Sequence, residues 1–227
     1  NPQRAYAEAN GQVVMDVENC DRRIPRNSRN WLTQNSKSGY AGGGYVQVLP
    51  NTGASVNSGY ISTSPEVVCN VSFTATGSYY VWVRGQGDSG NDDSLHAGID
   101  GTGPASADRI NIGSGTSWVW KRDTMDGVPA TLVVNTPGFH TIHLWMREDG
   151  LKVDKLLLRK SSSSTAPSGL GPAESARIRL WGTDMTAPLI SGVAVTDLTP
   201  SSATTTWTTN ELTWSEIVYG STATTYS

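Results

Sequence analysis

Three carboxylates carry the first chemistry this sequence suggests. Asp16 and Glu18 belong to Val13-Val14-Met15-Asp16-Val17-Glu18, which reads as the first strand. Asp154 stands between Val153 and Lys155, just ahead of Leu156-Leu157-Leu158. A carboxylate at the edge of a packed strand is costly unless a cation pairs with it. If the strands that hold them are neighbours, Asp16, Glu18 and Asp154 meet at one point. Hard oxygen donors gathered in this way suit calcium, which takes six to eight oxygens at about 2.3–2.6 Å.

Other reactive side chains lack the spacing that catalysis needs. Gly87-Asp88-Ser89-Gly90 matches the tetrapeptide around a trypsin-like serine nucleophile, but His96, His140 and His143 all follow it. A triad requires its three groups to be placed by a scaffold that this chain does not suggest. Asp92-Asp93 and Glu148-Asp149 are adjacent pairs, whose side chains point apart on a strand. Acid–base hydrolysis needs carboxylates facing one another across a cleft. His140 and His143 have no Cys or Glu at metal-ligand spacing. The expectation is a protein that is not an enzyme.

The elements that must position these residues are strands. Charged residues make up 16% of the 227 and hydrophobic ones 37%, with 24 Gly. That is the profile of an extracellular or cell-surface β-protein. A net charge of −3 offers no basic face for nucleic acid. No apolar run approaches the ~20 residues that span a bilayer, so membrane insertion is not expected. No signal-peptide pattern precedes Asn1, which reads as a processed N-terminus or a boundary.

Runs bounded by Gly, Asn, Pro or Ser recur at 13–20, 45–49, 66–75, 79–86, 94–100, 107–112, 117–122, 130–135, 139–147 and 152–159. Their β-branched and aromatic content predicts an all-β sandwich. Residues 139–158 read as two strands joined at a tight Glu148-Asp149-Gly150 turn. The stretch 21–44 has no periodicity and reads as a long connection of the kind that carries function. Cys20 and Cys69 lie in or beside predicted strands; they are either a disulfide or two buried thiols, and spacing alone does not choose.

The first domain is expected to cover 1–160. Residues 161–187, beginning Ser161-Ser162-Ser163-Ser164, have linker composition, although 176–181 has the pattern of one more strand. The segment 188–227 resembles the opening of a fibronectin type III domain, immunoglobulin-like in fold. Trp207 falls in the second-strand position and Tyr219 in the third, and the likeness covers about three strands of the seven such a domain needs.

The first 160 residues resemble the jelly-roll carbohydrate-binding modules of families six and thirty-five, which have a galactose-binding-like sandwich. The likeness rests on four segments: Val14 to Asn19, Tyr79 to Gly85, Ser94 to Gly101, and Leu144 to Leu158. It implies a structural calcium on Asp16, Glu18 and Asp154, with backbone donors from the loop around Lys37, Ser38 and Gly39. It also implies a sugar site in the edge loops, where aromatic rings stack on pyranose faces. Tyr40, Trp118 and Lys152 match that site, and Trp31, Asp93 and Arg147 are further candidates. Lys stands at 152 where relatives carry Asn, which points to an acidic sugar or to a lost site. Trp82 and Trp120 are expected in the core. The implied function is a non-catalytic, calcium-stabilised polysaccharide-binding module of a larger secreted or surface protein. The alternative is a structural or adhesive subunit of an extracellular assembly, such as a surface filament, that self-associates through its C-terminal strands.

Overall fold

The computed structural model describes residues 4–179 and 189–210. In chain order the strands are β1 (Arg4–Ala7), β2 (Gln12–Asp16), β3 (Arg22–Ile24), β4 (Asn30–Gln34), β5 (Tyr45–Leu49), β6 (Glu66–Phe73) and β7 (Gly77–Gln86). They continue with β8 (Ser94–Ile99), β9 (Ile110–Asn111), β10 (Val119–Lys121), β11 (Thr131–Val134), β12 (Gly138–Met146), β13 (Lys152–Arg159) and β14 (Arg177–Arg179). Side chains alternate across each strand. In β7, Tyr79, Val81 and Val83 join the main core, while Tyr80 and Trp82 belong to a second cluster.

Two seven-stranded sheets result. One runs β14-β1-β6-β12-β8-β9 with β3 also on β6; the other runs β10-β7-β13-β5-β4 with β11 on β7 and β2 on β13. Between them lies one apolar core that includes Met15, Trp31, Phe73, Leu95, Ile142 and Leu156. The expected all-β jelly-roll sandwich is present. β2 and β13 are antiparallel neighbours with Lys155 opposite Asp16, which meets the condition set for the three carboxylates. The cysteines form a disulfide, Cys20–Cys69. By constraining the unfolded chain, a bridge across 49 residues contributes about 4 kcal/mol.

Three expectations change. The stretch 139–158 is not a hairpin: β12 pairs with β6 and β8, whereas β13 pairs with β7, β2 and β5. Each strand has an apolar face, and both faces reach one core when the chain crosses from sheet to sheet. The corner between them is fastened by Asp149, whose carboxylate accepts N–H bonds from Thr52, Gly53 and Ala54 at 3.0, 2.9 and 3.0 Å. Burial opposes its charge, but these bonds and Arg29 outweigh that and hold its pKa below the usual carboxylate range. The supposed connection 21–44 contains β3 and β4. Both are short strands whose polar residues conceal the period.

The third change concerns 161–187. Residues 161–176 are not a free linker but a strap across the outer face of the second sheet. Their carbonyls accept bonds from that face: Gly169 from Arg84 and Trp120 at 3.1 and 3.2 Å, Ser163 from Arg122 at 2.9 Å, and Pro172 from Lys155 at 2.7 Å. Beneath the strap Val14, Trp82, Trp120 and Leu157 form a second apolar cluster. Trp82 and Trp120 are buried as expected, but here rather than between the sheets. A Cβ on Gly171 would fall 2.5 Å from the Trp120 ring, so only glycine permits this approach. The strap then becomes β14, which pairs with β1. Residues 180–188 lie outside the described residues.

The second unit is described over 189–210, where β15 (Ile190–Thr196) pairs antiparallel with β16 (Thr204–Thr209). The expected third strand and Tyr219 lie outside the described residues. Among the described residues no helix is long and apolar enough to cross a membrane.

Ending the first unit after Lys160 uncovers Trp82 and Trp120. This truncation is expected to cost on the order of 3 kcal/mol or more and to red-shift tryptophan emission. An unchanged melting temperature would show that the strap contributes nothing to the domain.

Candidate functional site

The acidic corner is built by β2, β13 and the loop before β5. β2 ends at Asp16 and the chain enters a tight 3-10 turn, Val17–Asn19, so Glu18 sits on a turn rather than a strand. The ladder of β13 is irregular between Val153 and Lys155, and Asp154 occupies that irregularity, fully buried. Its Oδ1 accepts the Ala41 N–H at 2.9 Å, and its Oδ2 is ion-paired with Arg84. Glu18 Oε1 accepts the Gly43 N–H at 2.9 Å, while its Oε2 is buried with no partner. Asp16 Oδ1 lies 3.1 Å from Lys155 Nζ. Gly42, at φ +60°, closes the corner: a Cβ there would lie 2.9 Å from Asp16 Oδ2 and closer still to Glu18 Oε1.

Burial raises the pKa of all three carboxyls. Glu18 is pushed up to about 7, first by loss of water and further by the charges of Asp16 and Asp154, against opposing backbone N–H bonds. Asp16 rises through burial despite Lys155, and Asp154 through burial despite Ala41 and Arg84. Arg84 and Lys155 pair with Asp154 and Asp16, while among the described residues the Glu18 carboxylate has no ion pair. The donor chemistry suits calcium, for the oxygens are hard and Glu18 Oε2 is orphaned. As placed, Asp154 is turned to Arg84, and no three His, Cys, Asp or Glu side chains among the described residues form a ligating group. The expected carbonyl donors point elsewhere: Ser38 O accepts from Trp118 Nε1 at 3.0 Å and Gly39 O from Arg84 at 2.9 Å.

Arg84 links this corner to the aromatic edge, with its guanidinium carbon 5.5 Å from the Trp118 ring centre. Trp118 packs edge-on against Tyr45 at 5.1 Å, and Tyr40 lies 5.9 Å from Tyr45 on its own side. Tyr40 and Trp118 are both half-buried, and Tyr45 is fully buried between them. Two expected sugar-stacking residues are thus brought together by a third that sequence reasoning missed.

Lys152 pairs in register with Gln47 on β5 and Gln86 on β7, which puts the three in one row across the sheet. Lys152 is buried, with Nζ 2.7 Å from Asp88 Oδ2 and no hydrogen bond to any other protein group. Asp88 is half-exposed and also lies 4.0 Å from Lys37. The alternation Tyr45-Val46-Gln47 and Arg84-Gly85-Gln86 carried the signal for Tyr45, Gln47, Arg84 and Gln86, since period two places each pair on one face.

Trp31, Asp93 and Arg147 are not ligand-facing. Trp31 lies in the main core and donates its Nε1–H to Pro65 O at 3.1 Å. Arg147 is committed to Glu148, to Ser94 Oγ at 2.7 Å and to Asn57 Oδ1 at 2.9 Å. Asp93 is buried beside Glu148, whose Oε2 accepts its N–H at 2.9 Å. The Ser89 hydroxyl bonds to Asp92 at 2.9 Å rather than to a histidine. His96, His140 and His143 are each paired with a carboxylate, of Asp108, Asp100 and Glu66.

These features define a disulfide-bonded jelly roll with an aromatic edge beside a buried acidic corner. Known proteins are similar to this chain. The chain belongs to the family of glycosyl hydrolase family 115 C-terminal domains, whose profile matches residues 5–174. That match runs through most of the strap, so the strap belongs with the domain. A curated relative, Uncharacterized protein P23 of Formosa agariphila, is 34% identical over 145 residues, covering 56% of this chain and 35% of the relative. The chain therefore spans about a third of that protein. Among solved structures, a family 35 carbohydrate-binding module from Paenibacillus barcinonensis is similar at 19% identity and TM-score 0.43, over 70% of this chain and 99% of that one. The GH26-CBM35 β-(1,4)-mannanase of Podospora anserina is similar at 18% identity and TM-score 0.46, over 69% and 29%.

Replacing Gly42 by Ala forces a Cβ onto two carboxylates at a left-handed backbone position. It is expected to cost about 2 kcal/mol or more in thermal unfolding. Gly43→Ala, where an added Cβ meets nothing within 4 Å, is the control. Equal losses in the two variants would contradict the crowding at the corner.

Proposed function

We propose that this domain is a non-catalytic polysaccharide-binding module of a larger extracellular or cell-surface protein. The observation that carries the reading is the edge formed by Tyr40, Tyr45 and Trp118 close to Arg84, on the sheet that also holds Lys152. Half-buried rings in the edge loops, backed by Tyr45 of β5, suit the apolar faces of pyranose rings. The Lys152 ammonium, buried with unused donors, and the amides of Gln47 and Gln86 suit hydroxyls. Asp88 already answers the Lys152 charge, so the site does not require an acidic sugar. The disulfide and the family's association with glycosyl hydrolases support an extracellular setting.

Calcium belongs to this proposal as a structural ion. Asp16, Glu18 and Asp154 would hold it, which would give Glu18 the ionic partner it lacks among the described residues. Binding the folded state alone, the ion stabilises by about 2.7 kcal/mol when its concentration is 100 times its Kd.

A second reading rests on the C-terminal hairpin. Every residue of β15 is exposed, including Ile190, Val193 and Val195. Self-association through these strands would cover them, and sedimentation velocity at rising concentration distinguishes a monomer from an assembly.

Retention on a panel of insoluble and gel-embedded polysaccharides tests the main reading. At least one is expected to retain the chain, and Trp118→Ala and Tyr40→Ala are each expected to weaken retention roughly tenfold or more. No retention on any polysaccharide would overturn it. For the ion, added calcium is expected to raise the melting temperature, and Glu18→Gln to abolish the rise. An unchanged melting temperature with calcium or chelator would remove calcium from the proposal.

A further inference from the structure

The outer face of the second sheet continues past the aromatic edge onto β5 and β4. Val46 and Val48 of β5 and Trp31 of β4 belong to the main core. Period two therefore turns Tyr45, Gln47 and Leu49, with Asn30 and Leu32, to the opposite face. The register sets Leu32 opposite Gln47 and Asn30 opposite Leu49, while Lys152 pairs with Gln47 from the other side. From Tyr45 to Leu49 this face runs about 13 Å along β5. The track begins at the Tyr45 ring, against which Tyr40 and Trp118 pack. It ends in an open groove of about 750 Å³ walled by Pro25, Leu32, Leu49 and Pro50.

Leu32 is 41% exposed at the centre of β4, so an apolar side chain stands open on this face. The groove also has two amides, Asn51 and Asn30, and Asn30 Oδ1 has no hydrogen-bond partner among the described residues. The cation in its lining is spent: Arg29 is paired with Asp149 at 2.9 Å and donates to Thr52 Oγ1 at 2.6 Å. At the other end of the track Lys152 is answered by Asp88, and Arg84 by Asp154. The track thus offers apolar walls and neutral amides, with its cations paired. That combination matches a neutral sugar, which has apolar C–H faces and hydroxyls at its rim.

We propose that the groove at Leu32 and Leu49 is a second subsite, which binds uncharged sugar units of the same polysaccharide chain that stacks on Tyr40 and Trp118. This rests on the polysaccharide-binding reading and narrows its substrate class. The ligand is a run of consecutive neutral units on one linear chain, longer than the aromatic edge alone can hold. Continuity favours a single occupant, since Tyr45, Gln47 and Leu49 lie on one face of one strand. Gln47 bridges the two ends. Its Nε2 donates to Gly150 O at 3.0 Å, which fixes the amide and leaves Oε1 to accept from a hydroxyl. The rings supply stacking, and the groove supplies preference for length.

Calorimetric titration of the full chain with disaccharides and hexasaccharides built on glucose, mannose, xylose or galactose tests this. At least one hexasaccharide is expected to bind roughly tenfold more tightly than its disaccharide. Leu32→Ala, at an exposed position, is expected to remove most of that gain and to leave disaccharide affinity unchanged, whereas Trp118→Ala weakens both. In the unaltered chain the hexasaccharide, but not the disaccharide, is expected to shift the methyl resonances of Leu32 and Leu49, a readout that needs no variant. Equal affinities for the two lengths overturn the proposal, and so does a Leu32→Ala chain that keeps the gain or loses affinity equally for both. Retention by acidic polysaccharides alone overturns it too. In each of these cases the chain still binds glycan and the main reading stands; silence across the whole polysaccharide panel removes both.

Discussion

The ion pair of Arg84 and Asp154 is the constraint on which the rest of the domain's chemistry depends. Taking either ion out of water costs several kcal/mol, and the pair is tolerable only where other bonds complete the shell. Here they do. Arg84 also donates to the carbonyls of Gly39 and Gly169, and Asp154 accepts from Ala41. The pair therefore fixes at one point the central strands of a sheet, the loop before β5 and the strap. Losing one partner would leave the other charged and buried, which costs about 3–5 kcal/mol.

The outer face of the second sheet is consequently divided. One half carries Val14, Trp82, Trp120 and Leu157 and is sealed by the strap. The other carries Tyr45 and the row Gln47, Lys152 and Gln86, with Trp118 beside Arg84. Arg84 touches both halves. Aromatic residues on one sheet thus have two fates, as the underside of a covered cluster or as the lining of an edge, and the strap decides between them.

Much of this was readable from residue types. The alternation in β7 follows from period two, the meeting of Asp16, Glu18 and Asp154 follows once their strands are neighbours, and Tyr40 and Trp118 were implied by the family resemblance. Three features were hidden for physical reasons. The strap looks like a linker because its carbonyls do the bonding, and carbonyls leave no mark in side-chain composition. The crossing at Glu148-Asp149-Gly150 looks like a hairpin because a tight turn and a sheet-to-sheet corner use the same residues; the partner of Asp149, the backbone of Thr52 to Ala54, is about a hundred residues away. Trp31 was a candidate only through the resemblance, which does not fix side-chain direction, and its indole lies in the main core. Cys20 and Cys69 stayed undecided until their strands were neighbours.

The pairing of β14 with β1 has a mechanical consequence. Arg4 lies opposite Arg179 and Tyr6 opposite Arg177, so the chain enters and leaves the first unit at the same end of the same sheet. Tension applied through the flanking chain would act across this ladder as on a zipper, breaking its hydrogen bonds one after another instead of shearing them together. Beyond the ladder lie the Glu174 contacts with Tyr6 and Asn19, and then the strap. Load would reach the covered indoles in that order, while the Cys20–Cys69 bridge keeps β6 tied to the turn after β2.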